Sequence, residues 1–157
     1  MINSLRPIAG SASLALALLL SACGREPQAP RVSVEDIWVR LPAAPGRPAA
    51  AYFTATATTK DEAIVAVSSP AAKVEMHETV TEGTMSMMRP LSVASFAGED
   101  RIRFEPGGKH LMLFGLDPKL RPGEKIPLSF RFRSAPPVTV QAELKALGES
   151  GPEHAGH

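Results

Sequence analysis

Only one cysteine, Cys23, occurs in the 157 residues. The chain can therefore form no intramolecular disulfide. Aromatic residues are scarce at 5%, which argues against a surface for stacking bases or binding sugars. Neither charge sign dominates. Seventeen Lys and Arg against sixteen Asp and Glu leave a net charge of +1, so there is no basic field for nucleic acid and no acidic field for cationic partners. The apolar run Leu14 to Leu20 is too short to cross a bilayer as a helix. Helical periodicity is missing too: Ala43 to Ala51 is rich in alanine, but Pro45 and Pro48 break it. There is no internal repeat. No Ser-His-Asp or paired-carboxylate arrangement with a recognisable motif is present, so an enzyme is not expected.

What is present begins with an export signal. Arg6 supplies a positive charge, the apolar run follows, and Leu20-Ser21-Ala22-Cys23 closes it. A run of that length between a charge and small residues reads as a signal peptide over residues 1–22. The four residues ending at Cys23 resemble the bacterial lipobox, which implies cleavage before Cys23 and its acylation. Several acyl chains on one residue anchor a protein firmly. Gly24 stands where an Asp would retain a lipoprotein in the inner membrane, so the pattern leans towards the outer membrane. An ordinary signal peptide with an incidental cysteine is the alternative, and it too exports the chain. Residues 23–31 read as a polar, proline-containing tether. Residues 32–145 read as one domain, and residues 146–157, with no large apolar residue after Leu147, as a disordered tail.

Fifteen prolines and twelve glycines point to a loop-rich β protein. Short apolar or alternating runs recur between turn residues. They are Val32 to Val39, Ala50 to Thr58, Ala63 to Val67, Lys73 to Val80, Thr84 to Arg89, Ile102 to Glu105, Lys109 to Phe114, Leu128 to Arg133 and Val138 to Leu144. Phe130 and Phe132 alternate with Arg131 and Arg133 in the manner of a half-buried strand. Strands of this length and spacing predict an all-β, antiparallel sandwich. A tight turn is expected at Glu82-Gly83.

Two histidines and two methionines stand out. Ten residues separate His77 from Met88, twenty-one separate Met88 from His110, and Met112 follows two residues later. Imidazole and thioether together suit a soft metal of low charge, and Cu(I) is the main biological candidate. Cys23 lies outside the domain, so a thiolate copper site of the blue type is excluded. His110 and Met112 share one face of a strand. His77 and Met88 lie on segments joined by a tight turn, so they can meet across a hairpin. Gly107 and Gly108 allow the backbone to bend before His110. Parity alone does not say whether Met88, or Met85 and Met87 on the opposite face, looks towards His110. Methionines also fill core gaps.

The pattern His77-x10-Met88-x21-His110-x-Met112 resembles the signature of the periplasmic copper chaperone family PCu(A)C. Ile37-Trp38-Val39-Arg40, Ala49-Ala50-Ala51-Tyr52-Phe53, Val74-Glu75-Met76-His77-Glu78, Met87-Met88-Arg89-Pro90 and the run Pro106 to Leu116 are similar to that family's segments as well. The resemblance covers about Val32 to Leu144. It implies a cupredoxin-like, immunoglobulin-like β-sandwich and Cu(I) bound through His77, Met88, His110 and Met112. It also implies copper delivery outside the cytoplasm, notably to the dinuclear centre of a cytochrome c oxidase subunit. Sco-type thiol proteins are implied as partners. Some members of the family carry Met directly after the first His, where this chain has Glu78.

Thioethers are uncharged at all pH values, so such a site favours Cu(I) over Cu(II). Protonation of the imidazoles weakens it as pH falls. Copper sequestration without delivery is the alternative role. His154 and His157 could add a mobile site preferring Cu(II), although two His on a flexible segment bind weakly.

Overall fold

In the computed structural model the described residues are 31–58, 61–96, 100–149 and 151. The expected signal peptide, the expected lipidation site Cys23, all of the tether but Arg31, and residues 150 and 152–157 of the tail lie outside them. Ten strands follow in order: β1 (Val32–Arg40), β2 (Ala49–Ala57), β3 (Ala63–Ser68), β4 (Lys73–Glu82), β5 (Met85–Pro90), β6 (Ala94–Ser95), β7 (Arg101–Phe104), β8 (Lys109–Phe114), β9 (Lys125–Phe132) and β10 (Val138–Lys145). Among the described residues there is no helix. The sequence expectation finds nine of these strands, with ends that coincide or differ by at most three residues, and misses the two-residue β6.

The ladder runs β5-β4-β8-β2-β1-β10-β9-β3-β6, with β7 pairing the far end of β2. All pairings are antiparallel except β1 with β10, which is parallel. The ladder folds over on itself. Phe53 of β2 and Phe130 of β9, separated by two other strands in the order, meet edge to face with centroids 4.9 Å apart. The result is the expected all-β sandwich. Period-two alternation explains its core: β9 buries Ile126, Leu128, Phe130 and Phe132 and turns Lys125 and Arg131 outwards. Leu111 and Leu113 of β8 are fully buried against the same core.

Two irregularities shape the sheet. In β1 the pairing with β2 shifts between Glu35 and Trp38, where Asp36 takes φ 53°. This bulge increases the local twist. The residues beyond it, Trp38 to Arg40, pair with both β2 and β10. The hairpin from β4 to β5 pairs Glu82 with Met85, so its two central residues are Gly83 and Thr84, one place later than the sequence suggested. Gly83 takes φ 64°, which glycine allows and which a two-residue hairpin needs.

A buried carboxylate ties two loops together. Glu62 is 1% exposed, and its oxygens accept N–H bonds from Ala63 at 2.9 Å, Ser134 at 3.0 Å and Ala135 at 2.9 Å. Burial pushes its acid strength down, but these backbone donors outweigh burial and hold the carboxyl below the usual glutamate range.

Candidate metal centre

Strand register brings the four sequence-selected residues to one face. His77 of β4 lies directly opposite His110 of β8, and Glu75 lies opposite Met112. Residues opposed across an antiparallel pair share a face, so both imidazoles and the Met112 thioether stand together. The two imidazole centroids are 6.1 Å apart with the planes tilted by 27°. On the other side of β4, Met88 faces Thr79, while His77 itself faces Pro90. Thr79 and His77 are two apart, so Met88 is on the imidazole face, diagonal to His77. Met87 faces Val80 and Met85 faces Glu82, which puts both on the opposite side of the sheet. Glu78, adjacent to His77 in sequence, also points away and lies opposite Lys109 and Arg89.

Each histidine has one ring nitrogen tied and one left open. His77 Nε2 lies 3.1 Å from Glu75 Oε2. Lys73 and this His77 contact hold the Glu75 carboxyl below its usual range, so it accepts and Nε2–H donates. The lone pair then rests on Nδ1, which is buried and has no hydrogen-bond partner. A bare buried acceptor is costly unless something is meant to meet it. His110 Nδ1 lies 3.0 Å from the Gly108 carbonyl. A carbonyl only accepts, so Nδ1–H donates and Nε2 is left as the basic nitrogen. Carboxylate and carbonyl partners of this kind fix the tautomer of metal-binding histidines.

A depression of about 260 Å³ opens over the face, lined by Arg40, Tyr52, Thr79, Met88, His110 and Met112 among others. His77 stands beside it and does not line it. Exposure is graded: His110 is 8% exposed, Met112 is half-buried and Met88 is 60% exposed. Behind Met112, small Ala50 of β2 lies opposite it and leads to Arg40 of β1. Arg40 Nη2 donates to the Tyr52 hydroxyl at 2.6 Å, and its guanidinium lies 5.2 Å from the Tyr52 ring centre. Burial raises the Tyr52 hydroxyl above its usual range, with the Arg40 charge opposing. Tyr52 in turn packs on Trp38, with centroids 4.7 Å apart.

The sequence did not point to Glu75, Arg40 or Tyr52 as parts of the site. Glu75 was within reach of parity, since it lies two residues before His77 on one strand. Arg40 and Tyr52 come from strands whose register only the fold reveals. Among the described residues no three His, Cys, Asp or Glu side chains gather as a metal cluster. A second depression, between residues 41–47 and 115–120, contains neither His nor Met.

Residues 32–144 match the family described as "Putative lipoprotein LpqE-like". The chain is similar to "Putative lipoprotein Lxx21020" of Leifsonia xyli subsp. xyli, 33% identical over 132 residues, which span 82% of this chain and 78% of that one. Among solved structures it is similar in fold to the Cu(I)-bound DR1885 of Deinococcus radiodurans, with a TM-score of 0.56 and 24% identity over 82% of this chain and 87% of that one. It is also similar to the copper-bound PCuAC domain from PmoF2, with a TM-score of 0.54 and 21% identity over 73% of this chain and 92% of that one. The chain thus belongs to the LpqE-like family and has the fold of the PCuAC domains.

Proposed function

We propose that this protein is an extracytoplasmic copper chaperone that binds Cu(I) through His77, Met88, His110 and Met112. The observation that carries the reading is the facing pair His77 and His110, each with one tied and one open ring nitrogen, with two thioethers on the same face. Two neutral imidazoles and two neutral thioethers match a soft monovalent ion. The copper-bound structures of the same fold support the choice of metal.

Delivery is the favoured role over sequestration because of where the ligands sit. Met88 is on β5, the edge strand, all six of whose residues are exposed. An incoming ligand from an acceptor replaces the exposed Met88 first and the buried His110 last. The acceptor we propose is a cytochrome c oxidase subunit, with Sco-type thiol proteins acting beside it. The family description and its Leifsonia relative support a lipoprotein; the anchor we propose is Cys23, and the location the periplasm, with the outer membrane favoured by Gly24. The tail residues His154 and His157 form at most an auxiliary Cu(II) site.

The test is a Cu(I) competition titration with a chromophoric chelator. Converting His110 and Met112 together to Ala is expected to weaken binding by more than about a hundredfold, beyond what loss of a supporting partner causes. Wild-type affinity in that double variant overturns the ligand assignment. Transfer of copper from loaded protein to the copper-binding fragment of an oxidase subunit supports delivery, and retention points to sequestration.

A further inference from the structure

The ligands of the proposed site are neutral, yet a fixed positive charge lines the depression beside them. Of the residues lining the depression with Met88, His110 and Met112, Arg40 alone is charged. Its guanidinium is held there by the Tyr52 hydroxyl at 2.6 Å and by the Tyr52 ring. Two carboxylates near it on this face have cationic partners of their own. Glu75, opposite Met112, pairs with Lys73 at 2.9 Å. Glu143, next to Trp38 across β10, pairs with Lys145 at 3.6 Å. Among the described residues no carboxylate lies within ion-pair distance of Arg40. One alanine, Ala50, separates Arg40 from Met112 in the cross-strand row. That places their backbones two strand spacings apart, about 9.5 Å, with only a methyl group between for the long Arg side chain to cross.

We propose that Arg40 is a specificity-determining residue that sets the oxidation state the site accepts. A fixed positive charge repels a divalent ion about twice as strongly as a monovalent one at the same place. Thioethers favour Cu(I) through their softness, and Arg40 adds a penalty that falls on Cu(II). The hydrogen bond to the Tyr52 hydroxyl and the contact with its ring hold the guanidinium at the depression. This rests on the ligand assignment proposed above.

The experiment uses the mature chain carrying His154→Ala and His157→Ala, so that the tail contributes no Cu(II) site. Cu(I) and Cu(II) affinities are measured separately by competition, and the midpoint potential of the bound copper by voltammetry. Arg40→Met keeps much of the alkyl stem and removes the charge. It is expected to raise Cu(II) affinity relative to Cu(I) about tenfold at low salt, a fall of about 59 mV for a one-electron couple. Arg40→Lys keeps the charge and is expected to stay within about threefold of the parent. An unchanged ratio in Arg40→Met overturns the proposal, and so does an equal shift in both variants, which would assign the effect to the stack. The parent protein gives the same test without a substitution. Raising salt from about 10 mM to about 1 M shortens the screening length about tenfold, and the ratio must move towards Cu(II); a flat ratio overturns the proposal. If the parent binds no Cu(I), the ligand assignment itself fails, which is a different result from tight Cu(I) binding with an unmoved ratio.

Discussion

Met88 and Met87 differ by one position and by everything that follows from it. Register sets Met88 beside Thr79 on the imidazole face and Met87 beside Val80 on the other. Met88→Leu is expected to weaken Cu(I) binding by at least about tenfold, and Met87→Leu to leave it unchanged, in the same chelator titration. Equal losses would mean that the hairpin pairs in another register. Glu62 carries a different kind of consequence. Its carboxylate satisfies three backbone donors, two of them more than 70 residues away in sequence. Glu62→Ala strips those donors and is expected to cost about 2–3 kcal/mol in denaturant unfolding. Because the folded-state acid strength is raised, the contribution is complete above the unfolded glutamate value, about pH 4.3, and is lost as pH falls through the lower folded value. Acid unfolding of the wild type should therefore steepen below about pH 4, and Glu62→Gln should flatten that part of the profile. The site's pairing of His110 with Met112 was legible from strand parity. The choice of Met88 was not, because parity within one strand says nothing about which face its neighbour presents. Glu62 was not legible either, since its partners lie on a loop the sequence does not bring close.

At the scale of elements, the β4–β5 hairpin is an exposed edge of the sheet. It was legible as a turn because glycine stands between two runs of strand formers, although the turn itself sits on Gly83-Thr84. Among the described residues β5 pairs only with β4 and buries none of its residues, so one ladder protects its amides. Hydrogen exchange is expected to find β5 opening well before β8 or β9, whose buried Leu111, Leu113, Leu128 and Phe130 anchor them. Gly83→Ala forces a side chain into φ 64° and is expected to cost about 1 kcal/mol. The substitution should speed β5 exchange further and leave β9 exchange unchanged. Exchange of β5 as slow as β9 would contradict the edge-hairpin description.

At the scale of the whole molecule, the sandwich holds together through contacts between layers. Phe130 is fully buried and meets Phe53 across the interior. Phe130→Ala leaves a cavity between the layers and is expected to cost about 3–5 kcal/mol, read as a shift of one cooperative denaturant transition. A loss under about 1 kcal/mol would mean that the layers pack without it. The alternation that places Phe130 and Phe132 inwards was plain in the sequence, and so was the fold class. The parallel pairing of β1 with β10 was not. It joins the two ends of the domain, and no local pattern marks a contact of that span.

That pairing has a mechanical side. β1 is the first strand of the domain, and beyond the Asp36 bulge it is held on one flank by β2 and on the other by β10. A pull arriving from the N-terminal side, as it would if Cys23 is the anchor, enters along the axis of β1. Hydrogen bonds on both flanks then carry the load together in shear, and none is peeled open in turn. A partner that tugs on the domain while it is tethered thus loads a strand that is flanked on both sides beyond the bulge, whereas the exposed β5 edge is flanked by β4.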